Sequence, residues 1–402
     1  MPSLTLADVR LARERIRRAV HLTPCTRSEA LSRMLGCDLY LKLENLQITG
    51  SFKERGALNK ILQLDPQQRA AGVIAASAGN HAQGVAHAAA LQGIAATIVM
   101  PETTPLTKIE NTARLGARVV LHGTSYEDAW EQAQALQAAE GYTLIPAFDD
   151  PDVIAGQGTI GLELLEQVPE LDLVVVPVGG GGLIGGIALA VREQAAGVQV
   201  VGVETDRMPA MRASLAAGQV QPLRPANTIA DGIAVARVGA LTLPLVQRYV
   251  SEIVTVTEEQ IGHAILVLLE RDKTLAEGAG AVGFAALLRG AIGELRGRRV
   301  VVVISGGNID MSMLARILER GLESDGRLAR LKVVVPDRPG NIAELTRLIA
   351  AQQANVLQIS QNRALTEVEL GETEVLLVLE TKGWRHVDAL RQTIRAAGLV
   401  LK

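Results

Sequence analysis

From about residue 39 onward, short β-branched and aliphatic runs alternate with longer amphipathic stretches, and this rhythm constrains the fold more than any other feature of the chain. A chain that repeats strand, crossover and strand lays its strands parallel and covers both faces with helices, so the expected class is α/β. The expected strands are 39–43, 73–76, 96–100, 118–122, 173–178, 198–204 and 299–304, several of them apolar enough for burial on both sides. Between them, Tyr126, Ala129, Ala133 and Leu136 recur at the spacing of one helical face. The stretch 222–235 has neither periodicity and is expected to be a surface connection.

The pattern changes near residue 322. Residues 323–330 are polar and contain Gly326, as a linker would. Beyond them, LARLKVVVPDRPGNIAELTRLIAAQQANVLQISQNRA reads strand, turn, helix, strand; TEVLLVLETK reads as a third strand and WRHVDALRQTIRAAG as a second helix. The division read from this pattern is therefore a large body over 1–322, a linker at 323–328 and a small α+β domain at 329–402. At 402 residues the chain exceeds what one core usually serves, which agrees with this division. A net charge of -3 offers no basic field for nucleic acid. No apolar run suits a bilayer or a secretory leader, so no membrane partner is expected. The two cysteines, Cys25 and Cys37, make no disulfide framework for a chain of this size, and a cytoplasmic location is expected.

Four constellations carry chemistry. In Thr49-Gly50-Ser51-Phe52-Lys53-Glu54-Arg55-Gly56-Ala57, Ser51 is expected to cap a helix that runs through Leu58, Ile61 and Leu62, which puts Lys53 in its first turn. An ammonium there faces the positive end of the helix dipole, so the position favours a neutral amine, the form a nucleophile or base requires. Spacing alone does not separate this from a solvated surface lysine. In Ala76-Ser77-Ala78-Gly79-Asn80-His81-Ala82-Gln83-Gly84, small residues at a strand-to-helix turn can converge backbone N–H groups on a carboxylate, or can simply make a tight turn. His81 by itself reads as a cap or packing residue. In Val178-Gly179-Gly180-Gly181-Gly182-Leu183, four glycines between a buried strand and a helix expose backbone donors suited to a phosphate, or make a flexible loop; the buried strand and helix on either side favour the phosphate. The Lys-Ser/Thr ending of a nucleoside triphosphate loop is missing. In Ser305-Gly306-Gly307-Asn308, a hydroxyl at the carboxyl end of a strand can face the ligand crevice or cap the following helix.

A lysine, an anion turn, a phosphate cradle and a polar tip together suit an aldehyde cofactor bearing a phosphate. With SFKERGA, SAGNHAQG, GGGGL and SGGN in this order, the chain from about 10 to 320 resembles the threonine dehydratase family. These are fold type II pyridoxal-phosphate enzymes, built of two doubly wound α/β subdomains, and they include serine dehydratases and serine racemase; the resemblance implies that 1–322 is the catalytic domain, with the smaller subdomain at about 47–150 inserted in the larger. The tail, with VVVPDRPGNIAEL, resembles an ACT domain, a small ferredoxin-like regulatory fold. The resemblance implies pyridoxal 5'-phosphate carried by Lys53, its phosphate in Gly179, Gly180, Gly181, Gly182 and Leu183, and its phenolic oxygen held by Asn80. It implies Ser305 at the pyridine nitrogen, Phe52 against one face of the ring and Glu277 near it. Ser77, Gly79, Asn80 and His81 would receive the substrate carboxylate, and Lys53 would also be the base.

The implied reaction is β-elimination, taking L-threonine to 2-oxobutanoate and ammonia and L-serine to pyruvate. A serine at the pyridine nitrogen, unlike a carboxylate, does not stabilise a protonated ring, which favours elimination over transamination. Racemases place a second serine where this chain has Ala78, which disfavours racemisation. Relatives that bind a divalent cation use a glutamate and an aspartate; this chain keeps Glu204 but has Ala210 at the second position, where Asp206 could substitute only with the loop re-registered, and no metal is expected. In the tail, Gly340 and Asn341 would bind an amino-acid effector at an interface, which implies a homodimer or homotetramer, though the domain could be purely oligomerising. The remaining alternatives are another lyase or synthase of the same fold, such as a threonine synthase or a cysteine-forming enzyme, and a non-catalytic amino-acid sensor.

Overall fold

The computed structural model describes residues 4–362 and 368–402. The chain divides into two compact units, Met1–Ile309 and Asp310–Lys402.

The first unit holds two sheets. The larger runs in the order Cys25–Arg27, Asp38–Leu43, Arg299–Ile304, Leu173–Pro177, Gln199–Thr205, Glu252–Val256, parallel throughout except for the first pair. The smaller runs Arg118–Leu121, Ala96–Met100, Val73–Ala76, Thr143–Leu144, all parallel. Its strands fall in the sequence between the second strand of the larger sheet and Leu173–Pro177. Leu173–Pro177 is buried along its whole length and rich in valine, as a strand covered on both faces must be. Val174 and Val176 pack there with Ile184 and Ile187 of the helix Gly182–Gln194. All seven expected strands are present, each within one residue of its expected ends. The strands Cys25–Arg27, Thr143–Leu144 and Glu252–Val256 were not expected; the first two are too short to show alternation.

Two local expectations are corrected. Ser51 does not cap the helix Lys53–Ile61, whose N-cap is Phe52; Ser51 instead bridges to Gly306, and its buried hydroxyl has no hydrogen-bond partner among the described residues. Residues 222–235 are more than a surface connection, since Ala230 and Ile233 are buried and Asp231–Ile233 forms a 3-10 turn. Polarity and missing periodicity hid this because the segment is irregular, not because it is solvated.

The second unit starts with the helix Met311–Ser324, capped by the Asp310 carboxylate, which accepts from the N–H groups of Ser312 and Met313. Then follow Leu328–Pro336, Asn341–Ala351, Asn355–Asn362, Glu372–Glu380, Trp384–Ala396 and Val400–Leu401, in the order βαββαβ. The final short strand was not expected, and residues 363 and 364 of the stretch read as the second strand lie outside the described residues, as do 1–3 of the N-terminal stretch. The antiparallel sheet order, second, third, first, fourth, is ferredoxin-like. Leu331, Val333 and Val335 face a core with Leu345, Ile349, Leu390 and Ile394, while Arg330 and Lys332 face out. No described helix of the chain is long and apolar enough to cross a membrane.

Candidate active site

Parallel sheets bind ligands outside the carboxyl ends of their strands, and three motifs sit at such ends: Ser77 after Val73–Ala76, Gly179 after Leu173–Pro177 and Ser305 after Arg299–Ile304. They meet in one cavity of about 640 Å³ that Lys53 also enters. Every predicted site residue of the first unit lines this cavity except Gly181.

Lys53 is the first residue of its helix, and close backbone approach fixes that helix in place. A Cβ on Gly156 would come within 2.6 Å of the Arg55 carbonyl and 2.7 Å of Gly56, so the helix Pro151–Gln167 can lie against Lys53–Ile61 only with glycine there. The side chain is partly open to the cavity, with Nζ donating to the Ala147 carbonyl at 2.9 Å and lying 5.1 Å from the centre of the Phe52 ring. Burial pushes the amine down to about 8, against the smaller opposing pull of Glu277. A neutral amine is therefore accessible near neutral pH.

The turn after Val73–Ala76 opens the helix Asn80–Leu91, with Gly79 N–H donating to Ser77 Oγ at 3.2 Å. A Cβ at Gly79 would meet no protein atom, so glycine there leaves free space in the cavity. Asn80 Nδ2 donates to Glu277 Oε1 at 2.7 Å, and Asn308 Nδ2 donates to Asn80 Oδ1 and to the Thr49 carbonyl, both at 2.8 Å. Burial, with Asp231 nearby, pushes Glu277 up to about 7, against the Asn80 hydrogen bond. His81 Nε2 faces the Ile145 carbonyl at 2.8 Å and must carry the proton, since a carbonyl only accepts. Burial and then Lys53 push His81 down to about 3, so it is neutral and its one N–H is already used.

In the tetrad, Gly181 adopts φ +96° and caps the helix Gly182–Gln194. The first N–H groups of a helix have no acceptor within it, and Gly182 and Leu183, the first two residues of this helix, line the cavity. A Cβ on Gly180 would overlap the Phe148 ring, and one on Gly181 would come within 2.6 Å of Met211. The glycines thus serve packing behind the loop as much as access in front of it. Ser305 is buried at the cavity floor and does not cap the next helix, a task taken by Asp310. The residues fit a phosphorylated aldehyde: an amine of lowered basicity, a helix N-terminus with no side-chain cap and a hydroxyl converge on one cavity.

Both Glu204 oxygens accept backbone N–H groups, from Met211 at 2.7 Å and Arg212 at 2.9 Å, so this carboxylate caps a helix start. Among the described residues no group of three or more His, Cys, Asp or Glu could hold a metal ion. In the second unit, Gly340 (φ +95°) caps Asn341–Ala351 and Asn341 Nδ2 donates to the Pro336 carbonyl at 2.9 Å. Sequence reasoning missed Ala147, Phe148, Asn308 and the 231–237 wall. Only Asn308 left a signal, as the last residue of SGGN.

The family model of pyridoxal-phosphate dependent enzymes matches residues 16–306. The chain is 49% identical over 395 residues to an L-threonine ammonia-lyase of Thermotoga maritima, covering 98% of each. The structure of the processed form of threonine deaminase isoform 2 from Solanum lycopersicum superposes with a TM-score of 0.75 at 38% identity, covering 78% of this chain and 91% of that one. Maize serine racemase gives 0.75 at 36% identity, covering 80% and 99%. The matched segment holds Lys53, the tetrad and Ser305 around a single cavity, and the chain accordingly belongs to the family of pyridoxal-phosphate dependent enzymes.

Proposed function

We propose that this chain is a threonine ammonia-lyase that converts L-threonine to 2-oxobutanoate and ammonia, and L-serine to pyruvate and ammonia. The observation that carries the reading is the Lys53 amine, lowered to about 8 and held by one backbone carbonyl inside the cavity. Near-full-length identity to the Thermotoga maritima enzyme supports the choice of reaction.

The backbone of Gly179, Gly180, Gly181, Gly182 and Leu183 would hold the cofactor phosphate, Asn80 its phenolic oxygen and Ser305 its ring nitrogen, with Phe52 against one face. When bound, pyridoxal phosphate supplies an aldehyde for the substrate amine and a ring that withdraws electrons from its α-carbon. Ser77, Gly79, Asn80 and His81 orient the substrate carboxylate at a helix N-terminus. Lys53 Nζ takes the α-proton, which places its neutral form at the reacting carbon. Glu277, pushed up to about 7 by burial, accepts from Asn80 and would lie near the ring. The β-hydroxyl departs as water, taking up in net terms the proton that left the α-carbon, and the released enamine tautomerises and hydrolyses to keto acid and ammonia. Ala78 lines the same cavity and has no proton to exchange, which favours elimination over racemisation.

Residues 329–402 of the second unit are proposed to be an ACT domain, with 323–328 as the linker from a catalytic domain over 1–322. Its ferredoxin-like topology supports this. An amino acid such as isoleucine, valine or serine would bind at Gly340 and Asn341 between copies in a homodimer or homotetramer, and would act by unequal affinity for two states. A cytoplasmic place in isoleucine synthesis is the matching biological reading; both cysteines are free.

The test is keto-acid formation from threonine and serine, with and without isoleucine and valine. Both substrates are expected to turn over, and borohydride reduction is expected to fix the cofactor to Lys53. Absence of keto acid from either substrate overturns the proposal.

A further inference from the structure

The segment 145–150 touches nearly every part of the site, although its sequence carries no motif. Ile145 and Ala147 offer their carbonyls to His81 and Lys53, and Phe148 lies behind the tetrad. Asp149 reaches further. Its Oδ2 accepts the Ala240 N–H at 2.9 Å and its Oδ1 the Leu241 N–H at 2.8 Å. These residues belong to the turn before the helix Thr242–Tyr249. That turn grips the tetrad: Thr242 Oγ1 donates to the Gly180 carbonyl at 2.6 Å, and Gly239 N–H donates to the same oxygen at 3.2 Å. A Cβ on Gly239 would overlap the Asp149 carboxylate, so the two are in direct contact.

We propose that Asp149 is a positioning residue for the phosphate cradle, acting through the 239–242 turn on the Gly180 peptide. The peptide unit is planar and trans, so fixing the Gly180 carbonyl turns the Gly181 N–H to the opposite side, away from the turn. A carboxylate is suited to the task because it only accepts and can take two N–H groups at once, with its charge at the positive end of a helix. Asparagine in its place would set an N–H against an N–H. Thr242 is fully buried, and its hydroxyl has Gly180 O as its short partner. Removing that hydroxyl releases the peptide from the other end of the same chain of contacts.

The inference rests on the tetrad being the phosphate site, and the experiment separates the two. Apoprotein is titrated with pyridoxal phosphate and, separately, with pyridoxal, which lacks the phosphate. Asp149→Asn and Thr242→Val are expected to weaken pyridoxal phosphate about tenfold, the order of one lost buried hydrogen bond, while pyridoxal changes less than about twofold. Thr242→Ser restores the hydroxyl and is expected to restore the wild-type ratio. Equal weakening of both compounds, or no change in either, overturns the role of Asp149 and leaves the phosphate site standing. A wild-type protein that shows no preference for the phosphorylated compound overturns both. Asp149 is only half-buried, so its asparagine variant is expected to fold, and apoprotein unfolding midpoints verify this.

Discussion

Lys42 and Lys53 are both enclosed in the first unit, and their surroundings differ in one respect that decides what each can do. Lys42 Nζ donates to Glu163 Oε2 at 2.6 Å, the Thr23 carbonyl at 2.8 Å and Gln167 Oε1 at 2.9 Å, three acceptors for three protons. Beside it, Arg55 is clamped by Glu44 and Glu163; burial alone would lower its basicity, but the two carboxylates outweigh this and raise it. Lys53, two residues before Arg55, has one hydrogen-bond acceptor among the described residues, and that a neutral carbonyl. One region matches its charges against each other and is inert. The other leaves an amine underpaired, and reactivity follows from that deficit.

The largest effect is expected at Lys53. Lys53→Ala is expected to lower turnover at least about a thousandfold, the scale of losing a general base, with apoprotein stability undiminished because no paired charge is removed. Steady-state rates alongside urea unfolding check both halves. Glu163→Gln is expected to do the reverse. It leaves two buried cations short of a counter-charge and costs about 3 kcal/mol, read from the same urea curves.

The neutral histidine gives a pH test. His81 binds its proton at about 3 in the folded protein against 6.5 ordinarily, so below 6.5 the unfolded chain takes up a proton that the native state refuses. Its contribution is complete above 6.5 and is lost progressively down to about 3. His81→Gln should therefore show a shallower loss of stability in acid. For Lys53, cofactor loading requires the uncharged amine, so the rate of holoenzyme formation should rise about tenfold per pH unit up to about 8 and then level. The smallest effect is expected at the exposed pair of Lys108 and Asp231, 2.8 Å apart at the cavity edge. Lys108→Ala should move the unfolding free energy by less than about 1 kcal/mol, because solvent screens what burial magnifies at Lys42.

Much of the fold was legible because a buried parallel strand must be a short apolar run, and the valine-rich segments at 173–177 and 299–304 can be little else. Lys53, the tetrad and Ser305 were legible as motifs because each lies at a strand or helix end, where local chemistry is specific. Asp149 was not, since an aspartate before a helix reads as a cap, and here the next residue, Asp150, does the capping. Ala147 was invisible because a backbone carbonyl has no residue identity. The wall around Asp231 was misread because a segment with no periodicity can still be folded against a cavity.

By itself the sequence determined which elements form and which residues have the right functional groups, since helix, strand and turn preferences act over a few neighbours. Only the tertiary structure decided the protonation of those groups. Ala147, whose carbonyl accepts from Lys53, is 94 residues away, and Glu163, which holds Lys42, is 121 away. Desolvation and pairing depend on distance in space, and at those separations the chain order carries no information about it.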